Sequence, residues 1–252
     1  MLTIVIICLF SRHSKAQEIQ GSCPKSPENT SIVKTISKNN IISLANGSEL
    51  VLANIYQNKK NAHQFLKNKL LNRKISYVSS GRIKDRYNRF IVQIFYQDNN
   101  ETKWLQKTLI ESGYAVAVAY PTNWQCMDEL LEIENASRKD DSENQTINFN
   151  FPIVRAENIK SLNKNPQGSF HIVKGKVRSI SRTSQNTYIN FSHNWRKDFT
   201  AVVSNYLLKQ KKRPWPKLKL LKGKTIIIRG WLDHYNGPLI RLETPEMIEI
   251  KN

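Results

Sequence analysis

Ile41-Ile42-Ser43-Leu44-Ala45-Asn46-Gly47-Ser48-Glu49-Leu50-Val51-Leu52-Ala53-Asn54-Ile55 is the stretch that decides the fold class. Two apolar runs, residues 41–44 and 49–55, flank Ala45–Ser48, and Asn-Gly between apolar runs is the strongest short hairpin signal. Upstream, residues 31–37 alternate weakly, as a strand would. Downstream, residues 61–73 place Phe65, Leu66, Leu70 and Leu71 at helical spacing. Residues 74–78 and 90–96 read as strands joined by a polar loop containing Gly81, the second being rich in β-branched and aromatic side chains. Residues 102–112 read as a helix stopped by Gly113, and 123–138 as another, acidic on one side.

The second half repeats that order. Residues 140–150 are polar and without periodicity, which suits a linker, and a short helix is expected over 151–162. Strands are predicted over 170–181, 187–191 and 199–203. A basic helical stretch over 205–212 then ends at Pro214 and Pro216. Two more strands, 225–232 and 239–250, are split by Tyr235-Asn236-Gly237-Pro238. Three strands, a helix and two strands is the order of a five-stranded OB barrel. The expectation is a mainly β protein with helices (α+β). It has two OB-like five-stranded barrels, the first with two extra C-terminal helices. The expected boundaries are 1–16 signal peptide, 17–30 extension, 31–140 first domain, 141–168 linker and 169–252 second domain.

Charge separates the halves. The chain carries 39 Lys and Arg against 20 Asp and Glu, a net +19. Residues 17–143 hold 17 basic and 14 acidic side chains, whereas 144–252 hold 20 and 6. Such a field concentrates polyanions and speeds their encounter, so nucleic acid or another polyanion is the expected partner. Residues 1–10 are nearly all apolar and too short to span a bilayer, and Ser14-Lys15-Ala16 before Gln17 resembles a cleavage site. No transmembrane span is expected, and the location read from this segment is periplasmic or secreted. Cys23 and Cys126 remain after cleavage. They could pair in an oxidising compartment, where closing about 100 residues constrains the unfolded chain by ~4–5 kcal/mol.

More specific residues follow. Asp85-Arg86-Tyr87-Asn88-Arg89, Trp104-Leu105-Gln106, Gly113-Tyr114-Ala115, Pro121 and Glu134-Asn135-Ala136-Ser137-Arg138 follow the hairpin in order. Together they make residues 31–140 resemble the staphylococcal nuclease (thermonuclease) family. The second domain resembles a C-terminal module that often follows such nuclease domains. Its marks are Val173-Lys174-Gly175-Lys176-Val177, Arg229-Gly230-Trp231-Leu232 and Asn236-Gly237-Pro238-Leu239-Ile240. The resemblance implies phosphodiester cleavage with a calcium ion held by carboxylates, a Glu acting on the attacking water, and two Arg on the phosphate. Calcium needs several hard oxygen ligands with charge to match, and water needs a placed base.

Those positions here read differently. The family's acidic turn is Lys38-Asn39-Asn40-Ile41, its first Arg position is Val51, its Asp position Tyr56 and its Glu position Lys59. Arg89 alone is retained. No Asp precedes Asp85, so no shift of register restores the carboxylates. The expectation is a non-enzymatic protein with no resident metal or other cofactor. Lys38, Lys59, Lys60, Arg86 and Arg89 are expected to gather where metal and phosphate would sit. In the second domain Arg178, Trp195, Arg196, Lys211, Lys212 and Arg213 are candidate polyanion contacts. Trp195 and Tyr235 are the surface aromatics, and Phe191, Phe199 and Trp231 the core ones. His63, His171, His193 and His234 have no Cys or acid at metal spacing, so no zinc site is assigned. Two other readings stay open: a calcium- or metal-dependent endonuclease with a rebuilt site, and a protein–protein scaffold using the acidic helix and the basic domain.

Overall fold

The structure is a computed structural model that describes residues 23–144, 149–194, 197–210 and 213–251. The expected signal peptide lies outside these residues. Strands β1 (Asn29–Ile36), β2 (Ile42–Leu44) and β3 (Glu49–Leu52) are followed by β4 (Ile55–Gln57) and helix α1 (Lys59–Leu70). Next come β5 (Lys74–Lys84), β6 (Phe90–Asp98), β7 (Glu101–Trp104), α2 (Leu105–Glu111), β8 (Ala115–Ala117) and α3 (Met127–Asn144). The hairpin falls where Asn46-Gly47 predicts it. Gly47 takes φ +82°, a left-handed turn conformation that glycine adopts without a Cβ clash. Leu44 N–H donates to Ser48 O (2.9 Å) to close the loop.

Pairing closes the first barrel. β1 is antiparallel to β2 and β5, β5 to β6, and β2 to β3. The ring is completed by a parallel pair, β3 with β6, in register Leu50↔Phe90, Val51↔Ile91 and Leu52↔Val92. Val33, Leu44, Leu50, Ile75, Val92 and Ile94 fill it. Helix α1 repeats apolar residues every fourth position, so Ala62, Leu66 and Leu70 are buried on one face. Each such Leu contributes roughly 1.5–3 kcal/mol by burial.

Two expected boundaries move. Residues 102–104 are strand, not helix: Asn99 and Asn100 both take positive φ, 50° and 65°, and turn β6 back into β7 as a two-residue hairpin. Asn tolerates that conformation through its short polar side chain. The acidic helix starts at Met127, not 123, and runs on to Asn144, into the stretch read as linker.

The second unit holds β9 (Ile153–Arg155), α4 (Ile159–Lys164), β10 (Phe170–Lys176), β11 (Ser179–Arg182), β12 (Asn186–Asn190) and β13 (Thr200–Ser204). It continues through α5 (Asn205–Leu208), β14 (Thr225–His234), β15 (Pro238–Leu242) and β16 (Ile248–Lys251). The strand expected over 170–181 is bent into β10 and β11, with Val177 and Arg178 still donating to Lys224 O and Asn190 O. Neighbours run β11-β12-β13-β15-β14-β10. Because β10 and β11 are one bent strand, this second sheet also closes, again through a parallel pair, β13 with β15. The expected short helix over 151–162 is β9, parallel to β10, and then α4. Part of the expected linker therefore belongs to the second sheet. Residues 239–250 divide into β15 and β16 around a 3-10 turn, and among the described residues of the basic stretch 205–212 the helix is 205–208.

The two barrels share an apolar seam. β4 pairs with β8, and Tyr56, Val116 and Val118 pack against Phe151, Phe170, Ile172, Ile227 and Trp231. Disulfide Cys23–Cys126 ties the N-terminal arm to the start of α3 across 103 residues. No helix among the described residues is long and apolar enough to cross a membrane.

Candidate functional site

The turn after β1 and the start of α1 meet at Asn40. Asn40 is 4% exposed and holds φ +60°. Its side-chain amide donates to Gln57 Oε1 (3.0 Å) and to Lys59 O (3.3 Å), and its Oδ1 lies 3.2 Å from His63 Nδ1. Lys59 Nζ donates to Asn39 Oδ1 (3.3 Å), while Lys38 and Lys60 are exposed. Asn58 caps α1 by accepting from Asn61 N–H, and the first turn then carries Lys59 and Lys60 with no acid. That is the reverse of the charge a helix N-terminus favours, so positive potential is concentrated there.

Arg89 sits in the turn between β5 and β6. Asp85 accepts from Arg89 Nε (2.8 Å) and from the backbone N–H of Tyr87 and Arg89 (2.9 and 3.0 Å). Burial pushes the Asp85 carboxyl up, but these bonds and the Arg89 charge outweigh it and hold it below the ordinary carboxylate range. Arg86 and Arg89 stack on the Tyr87 ring at 4.8 and 4.7 Å. The structure thus brings Asn40, Gln57, Lys59 and His63 together. Among the described residues, no hydrogen bond or ion pair links the 85–89 turn to Lys38, Lys59 or Lys60.

Tyr56 is absorbed into the seam. Its ring centroid lies 5.0 Å from Phe170, 5.5 Å from Phe151 and 6.4 Å from Trp231. Tyr120 packs on the other side of Trp231 at 5.6 Å. Burial pushes its hydroxyl up to about 12, with Tyr56 and Glu243 adding to the effect, although the ring is partly open to solvent. Val51 is half-buried and neutral.

Around that seam runs a charged clamp that the sequence reading did not foresee. Arg229, 3% exposed, donates from Nη1 to Glu134 Oε2 (2.9 Å) and Ala117 O (2.9 Å), and from Nη2 to Glu249. Glu134 also accepts from Ala117 N–H (2.9 Å) and Arg138 Nε (3.0 Å). Burial opposes the Arg229 charge, yet Glu134 and Glu249 outweigh it and hold the group protonated. Arg213, expected to contact a polyanion, is engaged instead. It pairs with Glu246, stacks at 4.6 Å on Trp124 and donates to Pro121 O (3.4 Å). Trp231, expected in the barrel core, is part of the seam, whereas Phe191 and Phe199 do fill the second barrel. Arg178 is exposed, and Trp195, Arg196, Lys211 and Lys212 lie outside the described residues.

A closed five-stranded barrel with a parallel closing pair, a helix after its third strand and two helices at its end defines an OB-type domain. Residues 37–143 match the family model of the staphylococcal nuclease homologues, and this part of the chain is a staphylococcal nuclease-like domain. No curated protein matches the chain.

The ion implied by that family can be tested against the residues present. Calcium takes six to eight oxygen ligands, several of them carboxylates. The corresponding positions supply one amide already bonded to three neighbours, a tyrosine packed among aromatics, and an ammonium. Among the described residues no three His, Cys, Asp or Glu side chains form a metal-sized group. The donor set does not fit calcium.

Proposed function

We propose that this is an exported, basic nucleic-acid-binding protein built on a nuclease scaffold that no longer cleaves by the calcium mechanism. The observation that carries the reading is the chemistry at the family's metal and base positions. Asn40, Tyr56 and Lys59 are committed to amide, aromatic and ammonium contacts, and none can act as a carboxylate ligand or base. Nucleases of this family bind nucleic acid, and the excess of Lys and Arg in this chain supports keeping that partner without the chemistry. Lys38, Lys59 and Lys60 around the first turn of α1, with Arg86 in the 85–89 turn, are the candidate phosphate contacts on the first domain. The Cys23–Cys126 bridge and the apolar N-terminal run support passage to an oxidising, periplasmic or extracellular compartment.

The test follows retardation and cleavage of labelled DNA and RNA together, in calcium and in chelator. Binding that weakens steeply with salt, with no metal-dependent cleavage, is the expected result. Cleavage stopped by chelator and lost in Arg89→Ala would overturn the reading.

A further inference from the structure

The outer face of the second barrel carries a cleft that the nuclease-like domain does not explain. On β11, β12 and β13 the register sets Ser181 beside Tyr188, Ser179 beside Asn190, and Asn190 beside Thr200. The alternate residues Ile189, Ala201 and Val203 point into the core, so the Tyr188 set faces outward. The β14–β15 turn closes over this face. Gly237 there takes φ +127°, and a Cβ on it would meet Lys197 backbone atoms at 2.9 Å. That close approach seats the turn against residues 197–198 and fixes Tyr235 at the rim, two-thirds exposed.

The result is a cleft of about 530 Å³ between Tyr188, Asn190 and Thr200 on the floor and Tyr235 and Asn236 on the wall. Its floor is already ordered. Asn190 Nδ2 donates to Ser179 and Ser181 Oγ (3.3 and 3.2 Å). A second cleft of about 500 Å³ shares Ser181 and Asn190 with the first and adds Arg178, His193 and Lys222. No acidic residue lines either cleft. Among the acids of this barrel Asp233 is held by Arg241, Glu246 by Arg213, and Glu249 by Arg229 and Lys251, while Asp198 beside the β14–β15 turn accepts from Asn194 N–H (3.1 Å). Arg178 and Lys222 enter no ion pair among the described residues.

We propose that this face binds single-stranded nucleic acid, with bases stacking on Tyr188 and Tyr235 and phosphates held by Arg178 and Lys222. The proposal rests on the nucleic-acid reading above and assigns it a surface. Flat aromatics beside free cations are what an unpaired strand uses, because every base has a face to stack and every linkage a charge. An intact duplex hides its base faces and does not enter a cleft of this size. An uncharged glycan would use the tyrosines and amides but leave both cations without a counter-charge.

The experiment is fluorescence anisotropy in chelator. It compares an oligothymidylate of about 12 nucleotides with a duplex of equal length, across wild type, Tyr188→Ala, Tyr235→Ala and Arg178→Ala/Lys222→Ala. Tyr235 is exposed, so its removal tests the face without threatening the fold. The expected result is preference for the single strand, about tenfold weaker binding in each tyrosine variant, and a salt slope lowered by about 1.4 in the double variant. Single-strand binding unchanged in both tyrosine variants, equal binding of duplex, or displacement by an uncharged oligosaccharide would overturn this assignment alone. No binding of either nucleic acid by wild type would overturn the functional reading and this one with it.

Discussion

At position 56 a carboxylate would have to sit among Phe151, Phe170 and Trp231, where a tyrosine ring now packs. Removing a fully buried aromatic costs about 3–5 kcal/mol; Tyr56 is half-buried, so its loss costs less, but a charge put there meets apolar rings and no partner. Tyr56→Asp is therefore expected to lower the unfolding free energy in urea titration by about 2–3 kcal/mol, with no rise in Tm on adding calcium. A calcium-dependent rise would mean that the position still serves a metal. Asn40 makes the same point more quietly. Its amide satisfies Gln57, Lys59 O and His63 at once, so it is a structural tie rather than a remnant ligand.

Among the elements, β14 does the most to join the two barrels. It pairs with β10, β15 and β16, and it also delivers Arg229 and Trp231 to the first domain. Arg229→Ala would leave Glu134 to Arg138 and Glu249 to Lys251 alone, with two buried carboxylates around the lost guanidinium, and a loss of about 3–5 kcal/mol is expected in denaturant titration. The clamp also sets a pH dependence. Burial pushes the Glu249 carboxyl up, but Arg229, Asn135 and Lys251 outweigh it and hold it below the ordinary range. A folded pKa below the unfolded one gives a contribution fully present above the unfolded value, about 4.3, and lost as pH falls through the folded value. Tm should be insensitive to this group from pH 6 upward to about 9 and fall below about pH 4. Glu249→Gln should flatten that acid limb, and an unchanged limb would remove the clamp from the explanation.

For the whole molecule, the apolar seam joins the two barrels, while the Cys23–Cys126 bridge braces the first of them. Phe170, Ile172, Ile227 and Trp231 cover Val116, Val118 and Tyr56, which would otherwise be an apolar patch on the nuclease-like domain. The chain is expected to unfold in one calorimetric transition. Cys126→Ser should lower stability by roughly 4 kcal/mol, since the bridge closes a loop of about 100 residues in the unfolded chain. Two separated transitions would show that the domains are coupled only loosely.

Sequence by itself determined the class of the fold and which residue types stand at the nuclease family's metal and base positions. Asn46-Gly47 between apolar runs, the helical spacing of Phe65, Leu66, Leu70 and Leu71, and the identities at 38, 40, 51, 56 and 59 are local facts that need no partner. Element ends were less legible. Asn99-Asn100 turns the first three residues of an expected helix, 102–104, into strand because both take positive φ, which local composition signals only weakly. What only tertiary structure decided was which surface each charged or aromatic residue meets. Arg213 and Arg229 look like free cations in the sequence, but they pair with Glu246, and with Glu134 and Glu249. Arg213 to Pro121 O, and Arg229 to Ala117 O and to Glu134, are bonds across 92, 112 and 95 positions of the chain. Tyr188 and Tyr235 meet at one cleft because barrel closure brings β12 beneath the β14–β15 turn. Periodicity reports which face of a strand is apolar; the path of the chain in space decides what that face touches.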